Sequence, residues 1–307
     1  MAYPVAVLQP ELEPGAVDEN RHAITRMVAE AASSGARLIV LPEACVSDLY
    51  REAGKLAEPV PGPSTEMISR VCGSAAVALP LLEKKDGKVF SACVLLNSSG
   101  IKGVARKAHL YRDASGHDAY QDAEVLAAGA ELSVIDLGET KVGVLLGFDA
   151  EFPEAFRTLA LGGADVAVVA LNTVEPDRAF LSGMALRNRL PLLVANRLGF
   201  KKVYPTVPEL TAMSQSLLQD KDGAFLARCK GSSVILDENG RVVAEPGAEV
   251  QRDLEELAGV PDRMRIPQAH FQEECTLKAS FKLEELRLQR LTTPYIAERR
   301  EALYREK

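Results

Sequence analysis

Two carboxylates stand where apolar strands end. The stretch Arg37 to Leu41 runs into Pro42 and Glu43, and Lys141 to Leu146 runs into Gly147, Phe148 and Asp149. Ligand sites of open α/β sheets form outside the carboxyl ends of their strands, so these two termini are expected to face one crevice. Lys107, in Arg106-Lys107-Ala108-His109-Leu110, follows another short apolar run. Carboxylates and an ammonium held together can move a proton and stabilise negative charge on a substrate oxygen. Singly each is a weak signal, because a strand-end Glu or Lys is ordinarily a solvated residue. His22, His109, His117 and His270 show no metal-ligand spacing. The five cysteines, Cys45, Cys72, Cys93, Cys229 and Cys275, form no CxxC pair and no disulfide framework, and read as buried, reduced thiols. No metal and no cofactor is expected.

Such residues need elements to hold them. Val5 to Leu8 and Arg37 to Leu41 read as strands flanking a helix over 17–33, with Asp18 as its N-cap, Ile24, Met27, Val28 and Ala31 on its apolar face, and Gly35 as its stop. A second βαβ unit follows at mid-chain: strand Lys141 to Leu146, helix Pro153 to Leu161, strand Val166 to Leu171. Ser34-Gly35-Ala36 and Gly162-Gly163-Ala164 precede equivalent strands, which suggests two related halves. Ala75 to Leu81 and Val89 to Asn97 flank the turn Lys85-Asp86-Gly87, and Ser232 to Leu236 and Arg241 to Ala244 flank an Asn-Gly turn, so both read as paired strands. Residues 200–230 and 246–274 lack clean periodicity and are expected to be insertions. No break in composition marks a linker, so one domain over 1–307 is expected, ending in a C-terminal tail over 281–307.

Composition limits the function classes. With 47% hydrophobic and 26% charged residues over 307 positions, the chain can bury a large core. Its 43 acidic against 36 basic side chains and 5% aromatics leave neither a track for phosphates nor stacking platforms for bases, so no nucleic-acid partner is expected. No apolar run approaches the ~20 residues that cross a bilayer, and strand-like sequence begins at Pro4. A soluble, cytoplasmic protein with no membrane partner is the expectation.

The order of these motifs resembles the nitrilase superfamily of carbon-nitrogen hydrolases. Gly35 to Glu43 is similar to the family's first catalytic motif, Arg106 to Leu110 to its lysine motif, and Lys141 to Asp149, followed by Phe152-Pro153-Glu154 and Arg157, to its nucleophile motif. The hairpin from Gly231 through Gly240 and the segment Pro294 to Tyr304 agree with later parts of the pattern. The resemblance covers nearly the whole chain. It implies an α/β fold, a four-layer α-β-β-α sandwich, and a homodimer paired through outer helices, with Phe156, Leu159 and Ala160 of the helix 153–161 and the segment 294–304 as contributors. In such enzymes a cysteine thiolate attacks an amide or nitrile carbon, a glutamate moves the proton and a lysine stabilises the oxyanion. By resemblance Glu43 takes the base position, Lys107 the oxyanion position, and Glu124, five residues before Gly129, that of a second glutamate. Phe148, Asp149 and Asn172 are the expected substrate-binding residues.

The departure is at the nucleophile, where Gly147 stands in place of cysteine before Phe148 and Asp149. Cys45, two residues from Glu43, is the one alternative thiol near a catalytic motif. A second departure is Met184-Ala185-Leu186-Arg187-Asn188, where the family commonly reads Arg-Ala-x-Glu-Asn. The reading that follows is a protein that has lost ordinary amidase or nitrilase turnover and binds a small amide-, carbamoyl- or carboxylate-containing ligand. The alternatives are an active hydrolase on a small amide, using another nucleophile or having had its cysteine replaced, and a structural or regulatory dimer partner.

Overall fold

The computed structural model describes residues 2–112, 120–204, 224–247, 250–252, 269–293, 296, 298–300 and 303–304. Two six-stranded sheets dominate it. The first runs, edge to edge, Cys275–Phe281, Tyr3–Gln9, Leu38–Val40, Ala76–Lys85, Lys88–Asn97, Gly100–Arg106. The second runs Val134–Asp136, Lys141–Leu146, Val166–Ala170, Leu192–Ala195, Val234–Leu236, Val242–Ala244. In each, three parallel strands are flanked by one antiparallel strand on one side and an antiparallel pair on the other. The halves suggested by a short glycine motif therefore share a whole sheet layout.

Alternation along the strands builds three packed interiors. Val5, Val7, Val40 and Ala78 of the first sheet meet Val144, Leu146, Val168 and Ala195 of the second between the sheets. Their sequence neighbours Ala6, Leu8, Ile39 and Leu79 face the other way, onto helices α1 (Val17–Ser33) and α2 (Pro63–Val71) through Ile24, Met27, Val28 and Ile68. Leu145, Val169 and Val194 likewise face α3 (Pro153–Leu161) and α4 (Arg178–Asn188) through Phe156, Leu159, Leu181 and Ala185. The result is a four-layer α-β-β-α sandwich in which both faces of each sheet are covered, as parallel strands require. Each fully buried Leu or Ile contributes about 1.5–3 kcal/mol to this arrangement.

Several local expectations change. The N-cap of α1 is Ala16, and Asp18 sits in the first turn, ion-paired with Arg21 at 2.7 Å. There the carboxylate still complements the helix dipole. Phe156, Leu159 and Ala160 pack against their own sheet, so the apolar face that suggested a dimer contact is used within the chain. The expected tail opens instead with a docked helix, α5 (Leu283–Thr292), whose Leu283 and Leu286 join the inter-sheet core. Arg287 grips Asp165 through two nitrogens, each at 2.7 Å, and Arg290 donates to the carbonyls of Ala164 and Arg189. Within the two insertions, Leu198–Val203 pairs with Phe225–Lys230 and Val250–Arg252 with Ala269–Phe271. Residues 205–223 and 253–268, together with His117, Pro294 and Tyr295, lie outside the described residues.

Candidate active site

Glu43 leaves the end of Leu38–Val40 buried, at 2% exposure. Its backbone N–H donates to Leu171 O at 3.1 Å, stitching the strand ends of the two sheets together. Its Oε1 accepts from Ser91 Oγ at 2.8 Å and lies 3.2 Å from Lys107 Nζ. Lys107, just past Gly100–Arg106, is fixed by backbone bonds from its N–H to Ser91 O and from Gly129 N–H to its own carbonyl. Its ammonium lies 2.7 Å from Asp122 Oδ2. Two carboxylates thus share one buried cation. Burial pushes the Glu43 carboxyl above its ordinary value; the Lys107 charge opposes this and Asp122 adds to it. Burial works against the Lys107 ammonium, but Glu43 and Asp122 together outweigh it and hold its pKa above the usual lysine value.

Gly147 begins the turn that follows Lys141–Leu146 and has left-handed backbone, φ +47°. A Cβ built there would run into the Glu43 carboxylate and stand 2.9 Å from Lys107 Nζ. The position converges with Glu43 and Lys107, and the space a side chain would enter is taken by Glu43 itself.

Around this centre lies a cavity of about 410 Å³ whose wall includes Glu43, Lys107, Asp122, Gly147, Phe148 and Asn172. Two expected site residues are placed elsewhere. Glu124 is exposed and pairs with Arg51 at 3.3 Å, away from the cavity. Asp122, in the same short turn, meets Lys107 instead, held inward by the Tyr111 N–H at 2.7 Å. Asp149 does not line the cavity. Only 2% exposed, it accepts from the backbone N–H of Ala108 at 3.2 Å and of His109 at 2.8 Å, and lies 2.8 Å from His109 Nδ1. It braces the lysine loop against the turn after Gly147.

The alternative nucleophile fares no better. Cys45 is fully buried, its thiol donates to Pro80 O at 3.1 Å, and burial drives its pKa far up, so it has neither access nor thiolate character. None of the five cysteines lines the cavity. The altered positions 184 and 187 also lie off it: Met184 packs on the outer core and the Arg187 carbonyl accepts from Arg157.

A nitrilase-type sandwich with a carboxylate-lysine centre at its strand ends is the class of protein this geometry defines. The family model for carbon-nitrogen hydrolases matches residues 4–254, and the chain belongs to that family. It is 30% identical over 258 residues to omega-amidase NIT2 of Danio rerio, covering 78% of this chain and 84% of that one. It is 29% identical to omega-amidase NIT2-A of Xenopus laevis over 81% of this chain and 88% of the relative. Among solved structures, a carbon-nitrogen hydrolase from Helicobacter pylori superposes with a TM-score of 0.73 at 19% identity, covering 99% and 97% of the two chains. An amidase from Nesterenkonia superposes with a TM-score of 0.68 at 17% identity, covering 99% and 95%.

Proposed function

We propose that this chain is a carbon-nitrogen hydrolase-family protein without thiol-dependent amidase or nitrilase turnover, which binds a small amide-, carbamoyl- or carboxylate-containing ligand in the cavity beside Glu43, Lys107 and Gly147. The observation that carries this reading is the contact at Gly147: no side chain is there to attack a carbon, and the Glu43 carboxylate fills the space one would need. Removing a covalent nucleophile lowers turnover by about a million-fold in a well-studied hydrolase, leaving binding and charge stabilisation. The site retains the groups for both. A lysine ammonium has three N–H donors, and with Glu43 and Asp122 each engaging one, a third is left for a ligand oxygen.

A second reading is favoured by the raised Glu43 carboxyl and by relatives named as omega-amidases. In it Glu43 acts as general base to a water. The water oxygen bonds to the amide carbon, Glu43 takes the water proton and returns it to the leaving nitrogen, and carboxylic acid and amine are released.

Calorimetry with butyramide and butyrate, run beside an assay for released ammonia and intact-protein mass spectrometry, separates the two. Saturable binding with neither ammonia nor an acyl adduct supports the first reading. Ammonia release that survives Cys45→Ala but is lost in Glu43→Gln establishes the second. An adduct on the unaltered chain overturns the first.

A further inference from the structure

The cavity beside Glu43 and Lys107, at about 410 Å³, falls in the range that takes drug-sized ligands, more than an amide or carboxylate group alone occupies. Much of the wall beyond the charged centre is apolar. On one side stand Phe180 and Leu181, at the start of α4, which pack with the layer between the second sheet and its helices. On the other stand Leu49, Tyr111 and Tyr120, which pack in a separate cluster built on Leu82 of the first sheet. Phe148, in the turn that begins at Gly147, lines the cavity and belongs to neither cluster among the described residues. The cavity is thus a gap between two apolar clusters, lined by both. The chain is only 5% aromatic, yet four of the residues in this wall are aromatic, which sets it apart from an average surface.

Neighbouring rings hold these aromatic side chains in place. Phe148 stands perpendicular to Tyr111, with centroids 5.5 Å apart and planes at 86°, and perpendicular to Phe152, at 5.3 Å and 84°. Phe180 is backed by the fully buried Phe156, at 6.1 Å and 74°. Tyr111, Phe148 and Phe180 are themselves half-buried. Apolar surface left open in a concave wall gains by being covered, and rings already fixed lose little freedom when a ligand packs on them. Edge-to-face and offset contacts are the arrangements that aromatic pairs prefer, so a ligand ring continues this packing where a saturated ring only fills the space.

We propose that Phe148 and Phe180 are specificity-determining residues for a ligand that carries an aromatic ring into this gap while its polar head meets Lys107. The inference rests on the reading that the cavity binds a small ligand, and it adds what the rest of that ligand is: an aryl-substituted acid or acid derivative in preference to a short aliphatic one.

Butyrate and butyramide supply the test, each titrated by calorimetry beside its 4-phenyl and 4-cyclohexyl derivatives into the unaltered chain, Phe148→Leu and Phe180→Leu, with urea unfolding of both variants. With either head group, burying the added phenyl ring should tighten binding to the unaltered chain about tenfold or more. The phenyl derivative should also bind about threefold tighter than the cyclohexyl one, which is the ring contact beyond area alone. Leucine keeps an apolar side chain and removes a ring, so the phenyl preference should fall toward parity. A variant that had merely loosened the cavity would weaken both derivatives alike and keep their ratio. Either variant decides the matter should the other fail to fold. No gain from the added ring, equal binding of phenyl and cyclohexyl derivatives to the unaltered chain, or a threefold phenyl preference surviving in every folded variant overturns this assignment and leaves the ligand-binding reading standing. Absence of binding by butyramide, butyrate and all their derivatives overturns both.

Discussion

Glu43 and Gly147 compete for one volume: the carboxylate of Glu43 lies where a side chain at position 147 would begin. The strand end at Leu146 delivers bare backbone against a buried acid, with Lys107 beside both. The consequences of this packing can be measured.

Any side chain at 147 should be costly. Gly147→Ala must adopt left-handed backbone and displace the Glu43 carboxylate, and the backbone alone accounts for about 1–3 kcal/mol. Urea unfolding should register at least that loss. A change below about 0.5 kcal/mol, the range of an inert surface substitution, would mean that the site is looser than described. Gly147→Cys should carry the same penalty yet gain an acyl adduct with small amides, visible by intact mass and missing from the unaltered chain.

Lys107 is the keystone of the buried charges. Lys107→Met leaves Glu43 and Asp122 facing each other without their cation, and removing one partner of a buried pair costs about 3–5 kcal/mol. Combining it with Glu43→Gln and Asp122→Asn, which removes the stranded charges, should recover part of the loss. Additive losses across the three substitutions would contradict a shared centre.

Glu43 should make stability depend on pH in an unusual direction. Its folded pKa lies above its ordinary value of 4.5, so the unfolded chain releases this proton first and rising pH favours unfolding through it. Its contribution is fully present below pH 4.5 and is lost as pH climbs through the raised folded value. Urea midpoints of the unaltered chain and Glu43→Gln, compared from about pH 4 upward, should shift in favour of the variant with increasing pH. A difference that is flat or of opposite slope would show that Lys107 outweighs burial.

The thiols should differ in reactivity by access. Cys45, Cys93 and Cys229 are sealed in the core, whereas Cys275 is half-buried at the start of an edge strand. Iodoacetamide under native conditions should label Cys275 first, and peptide mapping should find Cys45 modified only after denaturation. Rapid native labelling of Cys45 would reopen it as a nucleophile.

The brace at Asp149 should matter through Lys107. Asp149→Ala abandons the backbone N–H groups of Ala108 and His109, at a cost of about 1–3 kcal/mol for buried donors left unpaired. Asp149→Asn, which keeps an acceptor oxygen, should lose less. Equal losses would argue that the carboxylate charge, and not its acceptor geometry, holds the loop.

The local periodicities of the sequence determined the elements. The continuous apolar run Val5 to Leu8 and the 3.6-period face Ile24, Met27, Val28 and Ala31 encode strand and helix within a few residues, because a strand covered on both faces is apolar throughout and a helix covered on one face is apolar along one stripe. Glu43, Lys107 and Gly147 were legible for a related reason: each follows the end of an apolar run, and parallel strands deliver their ends to one edge. Tertiary packing decided the rest. Asp122 and Glu124 occupy one three-residue turn, and tertiary contacts, among them the Tyr111 N–H and the Lys107 ammonium, select which of them faces inward. Asp149 carries the type and position of a ligand-binding residue, yet the backbone of residues 108 and 109, some 40 positions away, claims it. Asn172 was expected from the sequence, but its link to Asp48 and Arg197 leaves no pattern there, because that alignment exists only once strand ends from both sheets meet.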